Sequence, residues 1–508
     1  MIVRGPIARD LIERGAAAHG DRTAVIVGDR ELSFAAINSR ANRLAQALHQ
    51  AGIRPGERIA LLVNNGPDSI PLDFACTKLG LNRVPLNARL SRAEHQRMMT
   101  EAQCRALIYG PDLAPRAQEL LEDLPAVTGF GIGDTPHRGA DLDALAATAA
   151  DAAPDVAIGP DDILLTLYTS GTTGVLKAAQ HSQASFAAVA RNVLANLFPI
   201  LPDERMMHAA SLIHASGTFV LPFWLRGACN IVLPRFEPAA YLAAIARHRP
   251  TAINLVPTML QMLLDHPDLP ATDTASLRHI VYGASPMPRA VIDRAIAHFG
   301  QNRFWQFYGQ TEAPLCIAVL RPEDHAGDRL GACGQPAVDA EIRLIDGEGR
   351  DVPPGEAGEI LVRMPSAAAG YFNAPDLTAA GFDADGWVHT RDIGLFDDHG
   401  YLHLRDRTSD MIISGGYNIY PREVEDALLA HPAVREAAVV GLPDDKWVEA
   451  VTAFVVLRDG AAADEAELIA AVAGRIASYK KPHRIHFVDA IPKIPIGKVD
   501  RKALRRPA

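Results

Sequence analysis

Short apolar runs separated by helical segments recur along most of this chain, and that alternation restricts the fold more than any other feature. Ser33 is placed to cap a helix from Phe34, where Phe34, Ile37, Ala41, Leu44, Ala45 and Leu48 recur at helical spacing until Gly52 ends it. The turn IRPG then leads into RIALLV at 58–63, a helical segment runs through Leu79, and RVPL follows at 83–86. Further short runs stand at Ile163–Leu167, Cys229–Leu233, Ala252–Val256 and His279–Tyr282. Strands this apolar must be covered on both faces, which predicts an α/β protein with doubly wound, mostly parallel sheets. The Ala, Asp, Gly and Pro-rich stretch Gly131–Pro160 reads as a surface connection. After about Gly400 the texture changes, with charged residues and a glycine pair between apolar segments in LRDRTSDMIISGGYNIYP. The expected division is a large N-terminal domain over 1–406, a hinge at 407–410 and a small α+β lid domain over 411–508.

At 508 residues and 48% hydrophobic composition the chain can bury a large core. A net charge of -10 argues against a nucleic-acid binder, which needs clustered Lys and Arg over a broad face. The exception is local: from Gly474 onward ten Lys or Arg stand against two acids. Five cysteines without CxxC spacing suggest neither a zinc site nor a disulfide framework. No apolar run approaches the length of a membrane span and the N-terminus lacks a signal peptide's apolar core, so the cytoplasm is the expected compartment.

Behind the run Ile163–Leu167 stands YTSGTTGVLK, residues 168–177. Glycines let backbone N–H groups turn toward an anion, hydroxyls donate further hydrogen bonds and a lysine adds charge, so Thr169, Ser170, Gly171, Thr172, Thr173, Gly174 and Lys177 are candidates for holding phosphates. A Walker A loop needs Gly-Lys adjacent, whereas Val175 and Leu176 intervene here. The other reading of such a cluster is an ordinary surface turn.

Four more motifs follow in order: YGQTE at Tyr308–Glu312, Asp392 in WVHTRDIG, Arg407 in the interdomain stretch, and Lys498 in PKIPIGKVDR. Together with YTSGTTGVLK they resemble the AMP-forming acyl-activating enzymes: acyl-CoA synthetases, adenylation domains and luciferases. Departures are Leu176 where proline is usual, Ala178 where glycine is common, and Ser409 where the hinge usually has Asp or Lys. The resemblance implies ATP, Mg²⁺ and coenzyme A as cofactors. It assigns the metal to Glu312 with Thr169 as a second candidate, and the nucleotide to Tyr308, Gly309, Thr311, Asp392 and Arg407, with Gly283 and Ala284 letting backbone approach adenine. Lys498 would bridge carboxylate and α-phosphate as a mobile point charge, so the catalytic set is Lys498, His214 and Glu312.

His214, in SLIHASG, matches the mouth of the family's acid pocket, although a lone histidine among apolar residues is also compatible with a core role. Amino-acid adenylation domains usually carry an aspartate there, so an amino-acid substrate is disfavoured. Ala215, Ser216, Tyr282, Phe307, Pro314 and Leu315 are the other expected pocket residues; mostly apolar, they suit an aromatic or aliphatic acid. Coenzyme A is expected at Gly415, Gly416, Trp447, Lys480 and Lys481. The implied reaction is acid plus ATP to acyl-AMP and pyrophosphate, then transfer to CoA; the alternatives are loading of a carrier-protein thiol and a non-catalytic nucleotide-binding scaffold. No nucleic-acid partner is expected, and a homodimer is an open expectation.

Overall fold

The computed structural model describes residues 5–133, 139–170, 176–285, 287–407, 410–414, 417–444, 447–494 and 498–505. The expected helix forms as Phe34–Gln50, and the Ser33 hydroxyl accepts the Ala36 N–H at 3.1 Å, satisfying one of the donors that a helix start leaves open. Its apolar side packs onto strands Thr23–Val27 and Arg58–Leu62.

Two large sheets carry the N-terminal part. In one, eight strands run in the order Gly370–Tyr371, Leu176–Ser182, Ile163–Ser170, Asn82–Pro85, Arg58–Leu62, Ala106–Tyr109, Thr128–Gly131, Ala140–Asp141. In the other, nine strands run Gln335–Pro336, Ala318–Leu320, Phe304–Tyr308, His279–Gly283, Ala252–Leu255, Arg205–His208, Cys229–Val232, Thr23–Val27, Arg30–Ser33. Central neighbours pair in parallel, and so does the edge strand Ala140–Asp141, whereas the other three edges are antiparallel. All the short runs read from the sequence are strands in these two sheets.

Two features differ from the reading above. Gly131–Pro160 is not merely a surface connection, because strand Ala140–Asp141 completes the eight-stranded sheet and helix Leu142–Thr148 buries Leu142 and Ala146 completely. Asp141 starts that helix by accepting the Asp143 and Ala144 N–H groups at 2.9 and 3.0 Å, and small alanines let it lie close to the core. A third sheet also exists, antiparallel and four-stranded: Glu341–Ile345, Gly358–Arg363, Val388–Phe396 and Leu402–Arg407. Its strands alternate buried and exposed residues, a weaker signal than an all-apolar run.

From Ile412 onward a five-stranded sheet has its own core, in which Val424, Leu428, Val439, Val451 and Leu468 are buried. The presumed hinge residue Ser409 lies outside the described residues, as do Gly415 and Gly416. All five cysteines are buried and free, and burial pushes the thiols of Cys76, Cys104, Cys229 and Cys333 up to about 12. Among the described residues no helix is long and apolar enough to cross a membrane.

Candidate functional site

The glycine and hydroxyl motif is flanked by two antiparallel strands, Ile163–Ser170 and Leu176–Ser182, in which Thr169 pairs with Lys177. Gly171, Thr172, Thr173 and Gly174 lie outside the described residues, and so do the side chains of Thr169 and Ser170. Lys177 holds its ammonium 5.3 Å from the centre of the Tyr371 ring, and the Tyr371 hydroxyl donates to Glu312 Oε1 at 2.6 Å. Burial and then the Glu312 charge raise the Tyr371 pKa, so the phenol stays a donor. Tyr371, 59 residues beyond Glu312 in sequence, thus connects Lys177 to YGQTE. A second connection is buried: His181, on strand Leu176–Ser182, donates Nε2–H to the Thr311 carbonyl at 2.8 Å.

The loop carrying Glu312 folds back on itself through the Gln310 N–H to Ala313 carbonyl and Ile317 N–H to Tyr308 carbonyl hydrogen bonds. Gly309 is required by space, since a Cβ there would run into the Leu315 backbone. Gly283 is likewise needed, because a Cβ would meet the Phe307 carbonyl and ring. Ala284 and Leu315 hold left-handed φ values of 66° and 62°, and Arg391, next to Asp392, holds 61°. Such conformations cost non-glycine residues energy and concentrate where side chains must be aimed at a ligand. Asp392 is buried and accepts the Tyr308 hydroxyl at 2.7 Å; burial first, and the Asp392 charge second, push the Tyr308 pKa well above its ordinary value. The backbone of Arg407 pairs in register with Asp392.

His214 is half-buried with Nε2 3.4 Å from Asn87 Nδ2. Burial, followed by the charges of Lys498 and Arg89, lowers its pKa to about 4, so the imidazole is neutral at physiological pH. Lys498 therefore stands within electrostatic reach of His214. The Ile494 N–H donates to the Lys498 carbonyl at 2.8 Å.

Of the acid-pocket candidates, Ser216, Phe307 and Leu315 are buried and Ala215 and Pro314 partly so; Phe307 lies 6.3 Å from Phe219 in an edge contact. Tyr282 is not among them. On strand His279–Gly283 it points to the opposite face, where its hydroxyl lies 3.2 Å from Gln306 Oε1 and 3.0 Å from His325 Nε2, because period-two alternation places it with Ile280 rather than Val281. On the C-terminal unit Trp447 sits against His483, ring centres 5.0 Å apart, and Lys481 is exposed. Lys480 is less available than expected, since its ammonium donates to both Glu423 oxygens at 2.7 Å. Tyr371, His181, Asn87 and His483 are additions that no local motif announced.

A family model described as AMP-binding enzyme matches residues 12–372, and one described as AMP-binding enzyme C-terminal domain matches 423–498. The chain belongs to the AMP-binding enzyme family. Among its relatives, a medium/long-chain-fatty-acid–CoA ligase of Mycobacterium tuberculosis is 40% identical over 96% of this chain and 87% of its own length. A feruloyl-CoA synthase of Amycolatopsis is 38% identical over 95% of each. The amide bond synthetase McbA from Marinactinospora thermotolerans superposes with a TM-score of 0.90 at 34% identity, covering 98% of this chain and 99% of that one. This AMP-binding enzyme is an adenylate-forming ligase. Its described residues fit the ligands of that chemistry. They contain no cluster of three or more metal-binding side chains, and Glu312 would supply one carboxylate to an Mg²⁺.

Proposed function

We propose that this enzyme is a carboxylic acid:CoA ligase acting on an apolar aromatic or aliphatic acid, with Lys498, His214 and Glu312 at its centre. The observation that carries the reading is Tyr371, which holds Glu312 Oε1 by a 2.6 Å hydrogen bond and has the Lys177 ammonium over its ring, tying two of the five motifs together, and the Lys498 charge is felt at His214. The acid's carboxylate oxygen attacks the α-phosphorus of ATP and pyrophosphate leaves. Lys498 neutralises charge between carboxylate and α-phosphate, while Lys177 and the hydroxyl motif hold the departing phosphates. Glu312, with Thr169 as a further candidate, would hold an Mg²⁺, which would supply neutralisation of phosphate charge. Asp392 accepts ribose hydroxyls, Tyr308 presents its ring to adenine, and Arg407 lies beside them. Neutral His214 packs at the acid's carboxylate end without adding charge. In the second step the CoA sulfur, having lost its proton, attacks the acyl carbon and AMP leaves; Trp447, the Gly415–Gly416 pair and Lys481 are the proposed CoA contacts, with Lys480 screened by Glu423.

The two steps need different partners at one carbon, so the proposal includes a large domain over 1–406, a hinge at 407–410 and a lid over 411–508 that exchange faces. A cytoplasmic location, consistent with five free buried thiols, belongs to the same reading, and sedimentation tests the homodimer. The rival acceptor is a carrier-protein thiol; a relative from Streptomyces coeruleorubidus, 34% identical, is named a fatty acid–[acyl-carrier-protein] ligase. A panel of aromatic and aliphatic acids with ATP and Mg²⁺ tests both. The proposal expects acyl-CoA and AMP with free CoA. Pyrophosphate release with thioester formed only on carrier protein would transfer the assignment to the rival.

A further inference from the structure

One face of the nine-stranded sheet carries a polar cluster inside apolar packing. Alternation along the strands puts His208, Asn230, Asn254, Val281 and Phe307 on the face that Phe219 covers. Ser216 donates its hydroxyl to His208 Nδ1 at 2.9 Å, and His208 Nε2–H donates to Asn230 Oδ1 at 3.0 Å. Burial lowers the His208 pKa to about 4, which keeps the ring neutral and able to serve as donor and acceptor at once. His208 and Asn230 are 0% exposed and Ser216 2%. The chain of hydrogen bonds stops there: Asn230 Nδ2 has no acceptor among the described residues. Asn254, two strands from Asn230, offers only a long 3.4 Å contact to the Val281 carbonyl. A buried amide donor without an acceptor is costly, and an apolar residue of similar size would avoid the cost. The cluster reaches the site directly, for Ser216 follows His214 by two residues and adjoins the pocket residue Ala215.

We propose that Ser216, His208 and Asn230 form the polar inner end of the acid pocket, and that the acid carries an acceptor oxygen, as ether, carbonyl or phenol, on the end of its tail away from the carboxylate. Asn230 Nδ2 donates to that oxygen, and His208 fixes the amide's orientation. The inference rests on the ligase reading and narrows its substrate class. The test uses shape-matched para-methoxy and para-ethyl pairs of phenylacetate, phenylpropanoate and phenylbutanoate, in which an oxygen replaces a methylene, with kcat/KM for acid-dependent pyrophosphate release as the readout. The wild-type enzyme should prefer the methoxy member of its best pair by about tenfold, the worth of one buried hydrogen bond. Asn230→Leu should bring that ratio close to one, and if Asn230→Leu does not fold, Ser216→Ala, which releases His208, should narrow it by about threefold. A wild-type ratio near one, or a ratio unchanged in the folded variant, overturns the inference. Turnover of purely aliphatic acids with every aryl pair refused overturns it while leaving the ligase reading intact; turnover of no acid at all removes both.

Discussion

Glu312 and Lys177 illustrate how much a single residue's role depends on a neighbour that no motif contains. Both could be singled out in the sequence because their motifs are local, ten residues in YTSGTTGVLK and five in YGQTE. Tyr371, which touches both, was not, because a lone tyrosine 59 residues beyond Glu312 carries no spacing signal. Tyr282 failed in the opposite direction: it stands beside Gly283 in sequence, but strand alternation turns it to the other face. Lys177→Ala should raise the KM for ATP by about tenfold or more and leave the thermal midpoint within a few degrees, since a partly exposed ammonium contributes little packing. A large loss of thermal stability with ATP use unaltered would contradict that assignment. Tyr371→Phe removes the donor to Glu312 and should raise the Mg²⁺ concentration needed for half-maximal adenylation by about threefold to tenfold, while the KM for the acid stays put.

Helix Gln183–Asn196 directly follows strand Leu176–Ser182, and its far end holds the loop at Cys316. Asn192, fully buried, donates Nδ2–H to the Cys316 carbonyl and accepts the Cys316 N–H, both at 3.1 Å, and also donates to Asp339 at 2.7 Å. His181 holds the other side of the same loop at Thr311. Replacing Asn192 by Leu leaves two buried backbone groups of Cys316 without partners, so a loss of roughly 2–4 kcal/mol is expected in urea unfolding. A change below about 0.5 kcal/mol would mean that the loop is held elsewhere. Helices and strands such as Phe34–Gln50 and Arg58–Leu62 were readable because burial on one or both faces writes itself into the hydrophobic period. The four-stranded antiparallel sheet and the helix Leu142–Thr148 were not, the first through half-exposed alternation and the second through a composition shared with surface connections.

Acid stability and domain alternation belong to the whole molecule. Burial lowers the pKa of His181, His208, His214 and His325 to about 4, from about 6.5 in an unfolded chain. Between those values the unfolded state binds protons that the folded state does not, so stability is intact above about pH 6.5 and falls as pH drops toward 4. The slope contributed by each histidine approaches about 1.4 kcal/mol per pH unit. Urea midpoints at pH 7.5, 6 and 5 should decline in that order, and equal midpoints would show that these imidazoles are not held neutral. The change of texture near Gly400 precedes the separate core that begins at Ile412, but the proposed partnership of Lys498 with His214 was not legible, because it joins residues 284 positions apart that no local pattern relates.

That partnership is also where the account is most exposed. Lys498→Ala should slow acyl-AMP formation from acid and ATP by at least about a hundredfold, while CoA attack on supplied acyl-AMP stays within about twofold of the wild-type rate. Single-turnover measurement of both half-reactions on the one variant gives the comparison directly. Equal slowing of the two would make Lys498 a structural charge and would contradict a mechanism in which one face of the small domain serves adenylation and another serves thioester formation.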